Sequence, residues 1–164
     1  MTLQSCLTLT LAAGGTLGLA QTPAGRGGEM TPELKARLEK APKFVEMFTP
    51  MRDTVVLAAN VYLPPGPGPF PTILLRTPYI KDNVREPLMA QKYVEAGYAW
   101  VDQDTRGKGH SKGVYQAFAT DIGDGYDTVE WVAKQPWSNG KIGIMGTSAL
   151  GITSNMAAMS GPRI

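Results

Sequence analysis

One change of period, close to the end of the chain, most constrains what this sequence can fold into. Lys141-Ile142-Gly143-Ile144-Met145 is a short apolar run; Gly146-Thr147-Ser148-Ala149-Leu150-Gly151 follows it; Ile152 to Met159 is rich in Ala and Met. The first segment reads as a strand and the last as a helix, and the glycines between them mark a sharp turn. A strand handed straight to a helix belongs to an architecture in which helices fold back over a sheet. The turn carries a serine at its tip. Strand, Gly-flanked serine turn and helix together are the layout of a nucleophile elbow, which lifts the hydroxyl off the sheet and aims the next N–H groups and the helix N-terminus at one point. Ser148 has two readings. It is a nucleophile for an ester or amide carbonyl, or it is the N-cap of an Ala-rich helix, a common place for serine.

The same alternation runs through the preceding residues. Thr31-Pro32-Glu33 opens a short helix that ends by Pro42. Phe44 to Met51 and Val55 to Leu63 are strand-like, with Arg52-Asp53-Thr54 as the turn of a hairpin. Pro64 to Pro71 is a rigid loop, and Thr72 to Leu75 is apolar throughout, as a strand buried on both faces should be. Glu86 to Ala96 is helical with Gly97 as its stop, Tyr98 to Asp102 is a second buried strand, and Asp124 to Lys134 is helical with Pro136 beyond its end. A hairpin followed by strand, helix, strand, helix, strand, helix predicts an α/β fold with a mostly parallel sheet and helices on both faces.

Charge and composition narrow the function. The net charge of +2 is interspersed, so no basic face suggests nucleic acid. Met1 to Ala20 has no charged side chain and is apolar from Cys6, ending in Gly18-Leu19-Ala20. It predicts a secretory signal peptide cut after Ala20, and hence a secreted or periplasmic protein; its glycine pair and length do not make a stable membrane span. Cys6 is the only cysteine and lies in that leader, so disulfides and cysteine metal sites are excluded from the mature chain. Residues 21–42 form a linker and the short helix; residues 43–164 form the domain.

Three other groups of residues invite a chemical reading. Tyr79, in Arg76-Thr77-Pro78-Tyr79, lies just past a buried strand, where active-site loops of open α/β sheets gather. Its phenol donates to an oxyanion, or its ring simply packs. Asp104 to Gly113 holds Gly107, Gly109 and Gly113 with Lys108 and His110, but its spacing matches neither phosphate-binding glycine pattern. His110, the only histidine, reads as an exposed turn residue rather than a base. Asp124, Asp127 and Glu130 recur at a spacing of three, as a metal face would, or as ordinary partners of a helix dipole.

From Met51-Arg52-Asp53 onward the chain resembles the cocaine-esterase and X-prolyl dipeptidyl-peptidase family of α/β-hydrolases. The resemblance rests on Val61-Tyr62-Leu63-Pro64, Arg76-Thr77-Pro78-Tyr79, Gln103 to Gly113, Asp124 to Trp131, Gln135 to Lys141 and the serine turn, all in order. It implies the α/β-hydrolase fold with Ser148 as nucleophile, Tyr79 donating through its hydroxyl and Ala149 through its backbone N–H to the oxyanion. It implies an ester or peptide as small-molecule substrate, acyl-enzyme chemistry and no cofactor. Two positions differ from the family's pattern: Ala149 stands where tyrosine is usual after the nucleophile, and Thr54 where glycine is usual after Arg-Asp. Family members continue past the elbow with a helical cap, more strands and the catalytic Asp and His. The expectation is therefore the N-terminal part of such a domain, truncated after the elbow and inactive alone. The rival expectations are a non-catalytic remnant and a fragment that complements a separately encoded remainder.

Overall fold

Thr31 caps the first helix as its sequence predicts: its Oγ accepts the Leu34 N–H at 3.2 Å and Pro32 opens the helix. The computed structural model describes residues 30–162, so the expected leader at 1–20 and most of the linker lie outside the described residues. The elements are α1 (Pro32–Lys40), β1 (Phe44–Pro50), β2 (Val56–Tyr62), β3 (Phe70–Thr77), α2 (Glu86–Glu95), β4 (Ala99–Asp104), α3 (Asp121–Ala133), β5 (Ser138–Ile144) and α4 (Ala149–Met159).

The strands form one sheet in the order β1-β2-β4-β3-β5. The hairpin β1–β2 is antiparallel, from Phe44 opposite Tyr62 to Pro50 opposite Val56, and β2 is also antiparallel to β4. β3 lies parallel between β4 and β5. The parallel half is thus the part reached by helical crossovers, and the antiparallel half is the hairpin. At the hairpin turn Thr54 holds φ +71°, the left-handed conformation that glycine adopts most easily.

Period two sends neighbouring strand residues to opposite faces. Leu74 joins Val101 and Ile142 against Val129 and Val132 of α3, while Leu75 joins Trp100 and Tyr62 against Ala90 and Val94 of α2. Trp100 is fully buried and stacks on Tyr93 with ring centres 4.8 Å apart. α4 packs on α3 so closely that a Cβ at Gly125 would lie 2.5 Å from that of Ala157. Among the described residues no helix is long and apolar enough to cross a membrane.

One boundary needs correction. α3 begins at Asp121, three residues before the predicted start, because Asp121 faces the buried guanidinium of Arg76 at 3.0 Å. Asp124, Asp127 and Glu130 of α3, which the sequence offers as partners of the helix dipole, are each held in an ion pair. Asp124 pairs with Arg106 at 2.6 Å, Asp127 with Arg52 at 2.8 Å, and Glu130 with Lys134 at 3.9 Å. The first two pairs tie α3 to the loop after β4 and to the hairpin turn, and the third lies within the helix end itself.

Candidate active site

β5 ends beside β3, and the Met145 N–H donates to the Leu74 carbonyl at 3.1 Å. The chain then turns through Gly146-Thr147-Ser148 into α4. A Cβ on Gly146 would run into the Leu150 carbonyl, and one on Gly151 would lie 3.2 Å from the Gly146 oxygen. The two glycines face each other across the turn. That contact accounts for glycine at the third position after the serine, with Leu150 tolerated at the second.

Ser148 takes φ +56° and ψ −129°. A non-glycine residue in that region carries strain of about 1–3 kcal/mol, and such strain concentrates at functional turns. Ser148 occupies the N-cap position, yet its hydroxyl makes no capping hydrogen bond. It is exposed. Its carbonyl, by contrast, accepts the Ile152 N–H at 3.1 Å and starts the helix. The Ala149 N–H, at the first helical position, is one of the amides a helix cannot satisfy internally.

α4 is sewn to the strand that carries Tyr79. The Thr153 hydroxyl donates to the Arg76 carbonyl at 2.8 Å, and Arg76 precedes Thr77-Pro78-Tyr79. Because β3 and β5 are adjacent and parallel, Tyr79 and Ser148 leave the sheet at the same edge from neighbouring strands, about 4.8 Å apart at the strand level. Tyr79 is 65% exposed, so its ring is not part of the core. Its N–H donates to Thr77 Oγ1 at 3.0 Å.

His110 is placed elsewhere. Its Nδ1 lies 2.7 Å from Glu46 Oε1. Glu46 is on β1, four strand spacings or about 19 Å from β5. The loop around His110 is also closed to an outside anion. The buried Asp104 carboxylate accepts the His110 N–H at 3.2 Å and the Lys81 N–H at 2.7 Å. Any Cβ on Gly109 would strike that carboxylate. Burial pushes the Asp104 carboxyl up, and the two N–H bonds and Lys81 oppose it.

Sequence reasoning missed Lys81, whose ammonium is fully buried between Glu46 Oε1 at 2.7 Å and the Asp82 carboxylate at 3.1 Å. Burial works against its charge, but the hydrogen bonds to Glu46 and Asp82 and the charge of Asp104 outweigh it and raise its pKa. Ligand atoms of Glu46, Asp82 and His110 lie within 4.8 Å of one another, as metal ligands can. Lys81 supplies the cation there itself. The only local signal was a charged pair, Lys81-Asp82, directly after the apolar Tyr79-Ile80.

A sheet with the order 1-2-4-3-5, helices on both faces and a serine turn at the end of β5 define an α/β-hydrolase. The chain belongs to the X-Pro dipeptidyl-peptidase (S15) family, whose profile matches residues 53–164. It is 40% identical over 119 residues to cocaine esterase from Rhodococcus sp. (strain MB1 Bresler), covering 70% of this chain and 21% of that protein. Among solved structures it resembles an alpha-amino acid ester hydrolase, with TM-score 0.65 and 28% identity over 90% of this chain and 27% of that one. A CocE/NonD family hydrolase from Staphylococcus aureus matches with TM-score 0.65 and 30% identity, over 71% of this chain and 25% of that one. The chain thus spans about a fifth of the length of the esterase it matches.

Proposed function

We propose that this chain carries the nucleophile and the oxyanion donors of a serine hydrolase acting on a small ester or peptide. Ser148 Oγ attacks the carbonyl carbon, and the oxygen of the tetrahedral intermediate is held by the Tyr79 hydroxyl and the Ala149 N–H. Collapse breaks the bond to the leaving group and leaves an acyl-serine, which water hydrolyses. The observation that carries this reading is the strained φ +56° of Ser148 with its hydroxyl exposed and not used as a cap. A capping serine gains nothing from that strain. The general base comes from outside these 164 residues, because the one histidine is held by Glu46 at 2.7 Å on the far side of the sheet. No cofactor is required by this chemistry.

The test is covalent. Incubation of the chain with an alkyl fluorophosphonate, followed by peptide mapping, is expected to give a slow adduct on Ser148 that Ser148→Ala abolishes. Turnover of a p-nitrophenyl ester by the chain alone is expected to lie far below ordinary enzyme rates, since an unassisted hydroxyl is a weak nucleophile. In a protein that also supplies the Asp and His, Tyr79→Phe is expected to lower kcat by roughly 10²–10³-fold with less effect on KM. Labelling spread evenly over several serines would favour the non-catalytic remnant.

Export belongs to the same proposal. Residues 1–20 direct secretion or transfer to the periplasm, and cleavage falls between Ala20 and Gln21. Intact-mass measurement on the exported protein is expected to find Gln21 as the first residue; retention of Met1 would overturn it.

A further inference from the structure

An oxyanion donor works only when its hydroxyl is held in place, and a misplacement of about 1 Å costs on the order of 10²-fold. Tyr79 cannot be held by its own packing, because its side chain is largely exposed. The chain on either side of it must do so. On the N-terminal side the Thr77 carbonyl accepts the Thr105 N–H at 2.9 Å. On the C-terminal side Ile80 takes φ +73°, a conformation a β-branched residue avoids unless its flanks impose it. The next residue, Lys81, is fixed twice. Its N–H donates to Asp104 Oδ1 at 2.7 Å, and its fully buried ammonium reaches Glu46, Asp82 and, at 3.8 Å, Asp104 Oδ2. The other side of the same carboxylate accepts the His110 N–H. A single buried side chain therefore joins the loop after β3 to the loop after β4.

We infer that Asp104 is a positioning residue for Tyr79: with Lys81 it clamps residues 77–82 so that the phenol stands at the sheet edge beside Ser148. This accounts for Gly109 and the His110 N–H in a loop whose composition imitates an anion-binding one. The loop does bind an anion, the chain's own Asp104, and Gly109 is glycine because the carboxylate fills the space a Cβ would need. The inference rests on Tyr79 being the oxyanion donor, so its test has one arm that does not use Ser148 chemistry.

The first arm is amide hydrogen exchange on the whole chain. Asp104→Ala is expected to speed exchange of the 79–82 amides by about 100-fold or more while the β3 amides at 72–75 keep their protection. Asp104→Asn, whose side-chain oxygen still accepts the Lys81 N–H, is expected to restore much of that protection. The second arm is the rate of fluorophosphonate labelling at Ser148. Asp104→Ala and Tyr79→Phe are expected to slow it to a similar extent, and the double variant to be no slower than either, because both remove the same donor. Additive losses would reduce Asp104 to a general structural role and overturn the inference. So would unchanged exchange at 79–82 in Asp104→Ala. If Asp104→Ala fails to fold, Lys81→Met carries both arms with the same expectations. Absence of labelling in the unmodified chain would sink the Ser148 reading, and the exchange arm would still decide whether the clamp exists.

Discussion

Arg76→Ala is expected to cost about 3–5 kcal/mol, or to leave the chain unfolded, in a denaturant titration followed by far-UV circular dichroism. The guanidinium is 1% exposed at the end of β3. It donates to Gln103 Oε1 at 3.0 Å and to the Asp121 carbonyl at 3.2 Å, and it faces the Asp121 carboxylate at 3.0 Å. Burial weakens its hold on the proton, and the charges of Asp121 and Asp124 restore part of it. Alanine would leave the Asp121 carboxylate buried without its cation, and most domains have only 5–15 kcal/mol of stability in total. Lysine would not substitute, since one ammonium cannot reach both Gln103 and Asp121 as the planar fork does. The double variant Arg76→Met/Asp121→Asn is expected to be more stable than Arg76→Ala, because it removes both charges together. A single-variant loss below about 1 kcal/mol would show that water reaches Asp121 and relieves the missing charge.

The contribution of Asp102 to folding stability is expected to fall as pH rises above the ordinary aspartate range, and Asp102→Asn is expected to remove that contribution. Asp102 is fully buried on the α2 face, and among the described residues neither of its carboxyl oxygens has a hydrogen-bond partner. Burial first, then the nearby charges of Glu86 and Asp104, push its carboxyl well above the ordinary aspartate range; the charge of Lys81 opposes them. The folded state therefore holds this proton more tightly than the unfolded chain. Its contribution is fully present below pH 3.8 and is lost as pH climbs through the higher folded-state value. Asparagine has the same shape, keeps no charge and can donate to Glu86. At neutral pH the variant is expected to exceed the parent by about 1–3 kcal/mol, the usual cost of a buried unsatisfied group, with the difference shrinking toward pH 4. Paired denaturation curves from pH 4 to 8 measure it directly. A difference that does not change with pH would mean that Asp102 is not the group responsible.

What the sequence made legible was whatever local order dictates. The apolar pairs Leu74-Leu75 and Trp100-Val101 mark strands covered on both faces, because both residues of each pair find a core. Gly146 and Gly151 mark the turn because their neighbours leave no room for a side chain. What escaped was set by partners far along the chain. Asp121 starts α3 only because Arg76, 45 residues earlier, is buried beneath it. Lys81 looks like a loop lysine until Glu46, 35 residues earlier, meets its ammonium. The placement of β3 between β4 and β5 is a crossover choice that periodicity does not encode. At the candidate site Ser148 and Tyr79 were visible from their positions after strands, and the clamp was not, since Asp104 and Glu46 reach Lys81 from 23 and 35 residues away.

The backbone of Ser148 has a consequence for the history of such a chain. Strain at φ +56° helps neither folding nor packing, and glycine at that position would relax it. Mutation acting on a gene kept only for a stable product has an easy path away from this serine. If Ser148 is the nucleophile proposed above, a lineage that keeps the strained serine is expected to be one in which the hydroxyl is under selection. The age of any loss of activity is then readable at position 148: recent loss leaves the strained serine in place, and long disuse leaves a relaxed, more stable turn.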